Sequence, residues 1–158
     1  MMGTKKAKGF TLIELIIVIL LVTILYSIGC FSFHQFMARY RLEGAVRSLV
    51  SDFYLARMKA IGKNCFYRLR INPEGKEYFL EQESLGNTSP WPGNREGVLR
   101  KFDDPKNPYY FPGVELVSSS HDPIFLPRGT VVGTTILLRN DYAQKTIILS
   151  SQGRVKIR

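Results

Sequence analysis

The stretch Lys8-Gly9-Phe10-Thr11-Leu12-Ile13-Glu14-Leu15 opens an apolar run that continues to about Phe33. That run exceeds the roughly 18 apolar residues that suggest a membrane-spanning helix. Lys5, Lys6 and Lys8 precede it, and no acidic residue does. The positive-inside rule therefore keeps the N-terminus cytoplasmic and sends the C-terminal part across the membrane. Glu14 is the anomaly. A carboxylate inside a membrane segment costs roughly 2.5–3.5 kcal/mol on insertion scales, so a chain that keeps one uses it.

Three processing schemes fit a segment of this kind. A secretory signal has an apolar core of about 7–15 residues followed by a small-residue cleavage site. The present run is longer and carries Glu14, which argues against cleavage after it. Ser27-Ile28-Gly29-Cys30 ends in the Gly-Cys of a lipoprotein signal, but serine stands where an aliphatic residue is wanted. A membrane-tethered, lipoprotein-like binding protein is kept as an alternative. The third scheme is cleavage before the run. Gly9-Phe10 followed by Glu14 resembles the class III signal of type IV pilins and pseudopilins. That resemblance implies cleavage between Gly9 and Phe10 by a prepilin peptidase and N-methylation of the new Phe10 amine. It also implies assembly with other pilin or pseudopilin subunits on an inner-membrane platform.

The chemistry of such a cut follows from the residues. The new α-amine on Phe10 has a reference pKa of about 7.7–8.0 and is mostly cationic at neutral pH. Glu14 lies one helical turn on, where the helix dipole favours a carboxylate. In a low-dielectric bundle each charge needs a partner. Glu14 can pair with its own Phe10 amine at i, i+4. It can also pair with the amine of a neighbouring subunit, which would set the register between subunits, and the resemblance favours this. Many pilins carry a proline where this chain has Phe31. Without a proline to break a backbone hydrogen bond, a straighter helix is expected.

The chain has 158 residues, enough for one membrane segment and one modest domain. Its formal charge is +9, and loss of a leader with three lysines leaves +6. Such an excess favours anionic partners, lipid head groups or nucleic acid, or simply keeps the surface solvated. Cys30 and Cys65 are the two cysteines. Mostly helical spacing puts them about 50 Å apart, against the roughly 7 Å that a disulfide spans. No intrachain disulfide and no cysteine metal site is expected.

Past Phe33, His34, Gln35, Arg39 and Arg41 mark an exit into water. Leu42, Val46, Leu49, Phe53, Ala56 and Ala60 then recur at helical spacing, with Arg47, Asp52, Arg57 and Lys59 largely off that face. Gly62-Lys63-Asn64 reads as the stop of a helix from Phe10 to about Ile61, roughly 75–80 Å long. Residues 65–71 alternate as a strand with Cys65, Tyr67, Leu69 and Ile71 inward. Asn72 to Lys76 is a turn, and Glu77 to Gln82 completes a hairpin. Further strands are expected at Val98–Phe102, Val114–Ser118, Thr134–Arg139, Thr146–Ser150 and Arg154–Ile157. The expected organisation is a cleaved leader (1–9), a transmembrane and assembly helix (10–33), and an amphipathic half-helix with a β-rich domain (34–158).

One long helix followed by β hairpins resembles the pilin fold, an α+β architecture with the helix packed on an antiparallel sheet domain. More closely, the chain resembles the GspH/FimT group of pseudopilins and minor pilins. Ala56-Arg57-Met58-Lys59-Ala60 through Asn64, Phe125-Leu126-Pro127-Arg128-Gly129 and Ser150-Ser151-Gln152-Gly153-Arg154-Val155 carry that likeness. It implies a structural minor subunit of a type II secretion pseudopilus or type IV pilus. The domain would stand outside the inner membrane, periplasmic or extracellular in the fibre.

Some FimT-like minor pilins bind DNA through a C-terminal Gly-Arg-x-Arg motif, and here the residues are Gly153-Arg154-Val155-Lys156. A period of two puts Arg154, Lys156 and Arg158 on one strand face, with Val155 and Ile157 toward the core. Arg68 and Arg70 are expected to form a similar outward pair. Such faces can grip phosphates, and they also protect edge strands from aggregation. DNA uptake is therefore the alternative function. Trp91, Tyr109, Tyr110 and Phe111 either cover the small sheet or anchor a partner. No catalytic residue, cofactor or metal is expected. His121 beside Asp122 and three serines reads as a satisfied turn, and Asp103-Asp104 lacks an EF-hand pattern.

Overall fold

The computed structural model describes residues 9–83 and 94–158, so Trp91 and the leader up to Lys8 lie outside the described residues. One helix, α1, runs from Leu12 to Lys63, through Gly29 and Phe31 without interruption. The chain divides into two compact units between Met37 and Ala38.

In the first unit the large apolar side chains from Phe10 to Ile28 are all exposed. An apolar face that surrounds the whole helix belongs in lipid or among other helices. Its hydroxyls suit that setting. Thr23 Oγ1 donates to the Leu20 carbonyl and Ser27 Oγ to the Thr23 carbonyl, each at 2.8 Å. Back-bonding of this kind leaves the hydroxyl satisfied without water.

The second unit uses the other half of α1 as one wall of its core. Leu42, Ala45, Val46, Leu49, Phe53, Ala56 and Ala60 are fully buried, the stripe expected from their spacing. Asp52 corrects the expectation that it lies off the core face, because it is buried. Arg100 grips it bidentately, Nε and Nη2 each at 2.9 Å, and the Tyr78 hydroxyl donates to it at 2.9 Å. The helix ends in a Schellman motif. Asn64 takes φ +52°, its N–H donates to Ile61, and the Cys65 N–H donates to Ala60. Asn64, rather than Gly62, is the left-handed residue. Cys65 is a buried free thiol.

Among the described residues nine strands follow: β1 Tyr67–Asn72, β2 Glu77–Gln82, β3 Asn94–Lys101, β4 Glu115–Ser119, β5 Ile124–Phe125, β6 Val131–Val132, β7 Thr134–Arg139, β8 Gln144–Leu149 and β9 Val155–Ile157. They form two antiparallel sheets, ordered β3-β2-β1-β5-β6 and β4-β7-β8-β9. In β1 the alternation is as expected, with Tyr67, Leu69 and Ile71 buried. The two-residue strands β5 and β6 were not expected. They pair with each other, and β5 pairs with β1 at Tyr67↔Phe125, which brings Phe125 to 6.1 Å from Phe53 between ring centres. Phe111 is half-buried in an edge contact with Phe102, a covering role rather than a partner anchor.

Candidate functional sites at the two ends of the chain

Gly9 and Phe10 precede the helix as exposed backbone, with Phe10 82% accessible. Thr11 is the N-cap. The Glu14 N–H donates to Thr11 Oγ1 at 3.3 Å, and Leu15 N–H donates to the Thr11 carbonyl at 3.2 Å. Thr11-x-x-Glu14 has the residues of a capping box, and Phe10 and Leu15 occupy the positions of a hydrophobic staple. The sequence reading missed this second role, though the T-x-x-E spacing was its signal. Glu14 is exposed in the first turn, and among the described residues its carboxylate has no ion-pair partner. Its N–H is thus capped by the Thr11 hydroxyl.

At the other end, β9 is an edge strand held by β8 through Ile147↔Ile157, Ile148↔Lys156 and Leu149↔Val155. Thr146 and Arg158 exchange both backbone hydrogen bonds at 2.8 and 2.9 Å, so the last residue is held in place. Arg154, Lys156 and Arg158 are exposed, and among the described residues no carboxylate pairs with them. Of the expected inward pair, Val155 packs half-buried against the core, whereas Ile157 is corrected: it is 47% exposed. A three-residue strand at a sheet edge has core on one side only as far as its neighbour reaches.

Arg68 and Arg70 are not a second outward pair. Arg68 is largely buried and donates to Glu81 from Nε at 3.0 Å and Nη2 at 2.5 Å, and Glu81 itself is buried. Arg70 is exposed and lies 3.7 Å from Asp122. Both belong to β1, in the other sheet from β9, so the structure does not join them to the C-terminal cations.

Arg57 is the residue that sequence reasoning undervalued. The β5–β6 turn and the β8–β9 turn both close onto its guanidinium. A Cβ on Gly153 would lie 2.8 Å from Arg57 Nη1, and one on Gly129 would lie 3.6 Å from Nη2. Both glycines have positive φ, +77° and +81°, so a side chain at either is strained as well as crowded. The three segments that carry the family likeness thus meet at one side chain.

His121 and the adjacent serines form a satisfied turn, with Ser119 Oγ and Thr134 Oγ1 both donating to the His121 carbonyl. Asp104 accepts from the Lys106 N–H in a local turn, and Asp103 faces Lys76 at 3.3 Å.

Residues 4–26 match the prokaryotic N-terminal methylation motif, and residues 45–153 match the family described as type II transport protein GspH. The pilin-like protein PilA1 of Thermus thermophilus is 25% identical over 154 residues, spanning 95% of this chain and 97% of that one. Two solved structures share the fold. The minor pilin FimU of Pseudomonas aeruginosa has a TM-score of 0.54 at 15% identity, covering 78% of this chain and 92% of that chain. The minor pseudopilin EpsH of Vibrio cholerae has a TM-score of 0.53 at 13% identity, covering 71% and 91%. The chain belongs to the GspH family of type II transport proteins: it is a membrane-anchored, pilin-like subunit, a structural component that assembles with other pilin subunits.

Proposed function

We propose that the subunit is cut between Gly9 and Phe10 by a prepilin peptidase, N-methylated on Phe10, and drawn into a fibre by Glu14. The N-terminus faces the cytoplasm and the second unit stands outside the inner membrane, in a type II secretion pseudopilus or a type IV pilus. An assembly platform supplies the energy, and the subunit supplies helix packing, register and surface. The observation that carries this reading is Glu14, a carboxylate without an ion-pair partner among the described residues, at the mouth of an unbroken apolar helix. In a helical bundle it needs a cation, and the Phe10 amine of a neighbour is one. Glu14→Ala is expected to be cleaved normally and to be lost from sheared fibres. Normal incorporation would remove the pairing from the assembly mechanism. Intact mass gives a second check: a mature chain beginning at Phe10 supports the reading, while a lipidated Cys30 terminus sinks it.

A second reading has its own observation: three exposed cations, unpaired among the described residues, in β9 and at its two ends. Arg154, Lys156 and Arg158 can follow a phosphate backbone, with Lys156 supplying charge without the bidentate fork of arginine. Duplex retention by the full chain in detergent tests it. Changing all three to glutamine should abolish retention, and undiminished retention would discard the strand as a DNA contact.

A further inference from the structure

Arg57 Nε is a buried side-chain nitrogen with no hydrogen-bond partner, and no other described residue has such an atom. Among the described residues no carboxylate pairs with Arg57, nor with the exposed Arg128 and Arg154. Those two arginines flank Gly129 and Gly153, the glycines against which the Arg57 guanidinium lies. Arg57 thus packs against two turns, each of which carries an exposed arginine next to its glycine. Partial burial of an unpaired guanidinium is costly, and a buried donor without a partner calls for an ion, a water or a ligand. Beside the same turn a cleft of about 600 Å³ is lined by Asn64, Phe66, Leu126, Pro127, Arg128 and Thr130. Half of that lining is apolar, and Phe66 is 38% exposed there.

We infer that this face receives one acidic side chain, carried on an apolar segment of a neighbouring subunit, with its carboxylate on Arg57, Arg128 and Arg154. The inference rests on the reading of the chain as an assembling subunit. A lipid headgroup is the wrong source. Arg57 stands nineteen residues beyond Ala38, about 28 Å of helical rise. A nucleic-acid backbone is disfavoured too, because it tracks an open row of cations. Arg57 is recessed and its neighbouring cleft is greasy. A planar guanidinium between two turns that each carry an exposed arginine suits a single carboxylate, and the apolar lining suits the chain that bears it.

The test uses the full chain in detergent micelles at constant ionic strength. The probes are a blocked leucine–glutamate–leucine tripeptide, inorganic phosphate and a short DNA duplex. Saturating tripeptide should raise the thermal midpoint by roughly 3 °C or more. Arg57→Gln should lose that rise. Because this variant disturbs two turns, Arg128→Gln with Arg154→Gln serves as a surface-only counterpart and should lose most of it. Lys156→Gln with Arg158→Gln should keep it. No rise with the tripeptide, or a rise unchanged in both arginine variants, overturns the inference. A rise equal with phosphate makes it a simple anion site, and a rise with DNA alone makes it a nucleic-acid face. Either result overturns the inference also. Failure here leaves the assembly reading intact, since Glu14→Ala reports on that independently.

Discussion

Asp52 shows what one side chain does when its surroundings are assembled from distant segments. It sits on α1, Tyr78 on β2 and Arg100 on β3, and the Arg100 guanidinium stacks 3.4 Å above the ring centre of Tyr109. Asp52→Ala removes the anion, leaves Arg100 without its carboxylate and leaves the buried Tyr78 hydroxyl only Ser48, at 3.5 Å. Loss of one partner of a buried pair costs about 3–5 kcal/mol. Asp52→Asn keeps the shape and one acceptor, so its urea midpoint should fall between those of the wild type and Asp52→Ala. Tyr67 gives a pH prediction. Burial raises its hydroxyl pKa, the hydrogen bond to Glu96 adds to that, and Lys63 opposes it; the result is about 12, against 10.0 unperturbed. The folded state therefore holds the proton more tightly than the unfolded one. Its stabilising contribution is complete below pH 10 and lost as the pH rises through 12. Tyr67→Phe should flatten the fall in denaturation midpoint over that window without abolishing it, because burial raises Tyr78 as well.

At the scale of elements, α1 carries two different faces in one continuous helix. Its N-terminal half is apolar all round and its C-terminal half is apolar on one stripe. The two ends are fixed by local chemistry, Thr11 at the start and Asn64 in the left-handed conformation at the stop. Strand β9 is the opposite case, a short edge strand whose cations face solvent. If those cations bind a duplex, each phosphate contact releases counterions. Three contacts predict a slope of log affinity against log salt of about −2.7. A filter-binding series over salt measures it. A slope near zero is incompatible with phosphate contacts by this strand.

At the scale of the whole molecule, the described residues form one core, and it belongs to the second unit. Leu49 is fully buried there, whereas Leu21 is 55% exposed. Leu49→Ala should lower the stability of the second unit by about 2–5 kcal/mol. Leu21→Ala should leave it within about 0.5 kcal/mol of wild type. Denaturation in detergent, followed by tyrosine fluorescence, compares the two. The contrast also separates the selective pressures: the first unit answers to lipid and to other helices, the second to its own packing.

Much of this was legible along the chain. The helix with its buried stripe, the hairpin of β1 and β2, and strand β7 follow from periodicity and turn residues, which are local properties. Gly9-Phe10 and Glu14 stand out because a carboxylate in an apolar run breaks a pattern. The family itself was readable for the same reason. What needed the folded chain was pairing across distance. Two-residue strands such as β5 and β6 carry no periodicity, and they exist because β1 offers them an edge. Arg68 looked outward by alternation, yet Glu81 on the neighbouring strand binds it. Ile157 looked inward, yet the sheet ends at its strand. Asp52 and Arg57 looked like solvated helix positions until Arg100 and Tyr78 closed on one, and Gly129 and Gly153 on the other. The sequence alone determined the long helix, the longer strands, the anchor and the lineage of this protein. Tertiary structure alone decided which charges are satisfied and which remain open to a partner, because desolvation depends on segments that meet only when the chain is folded.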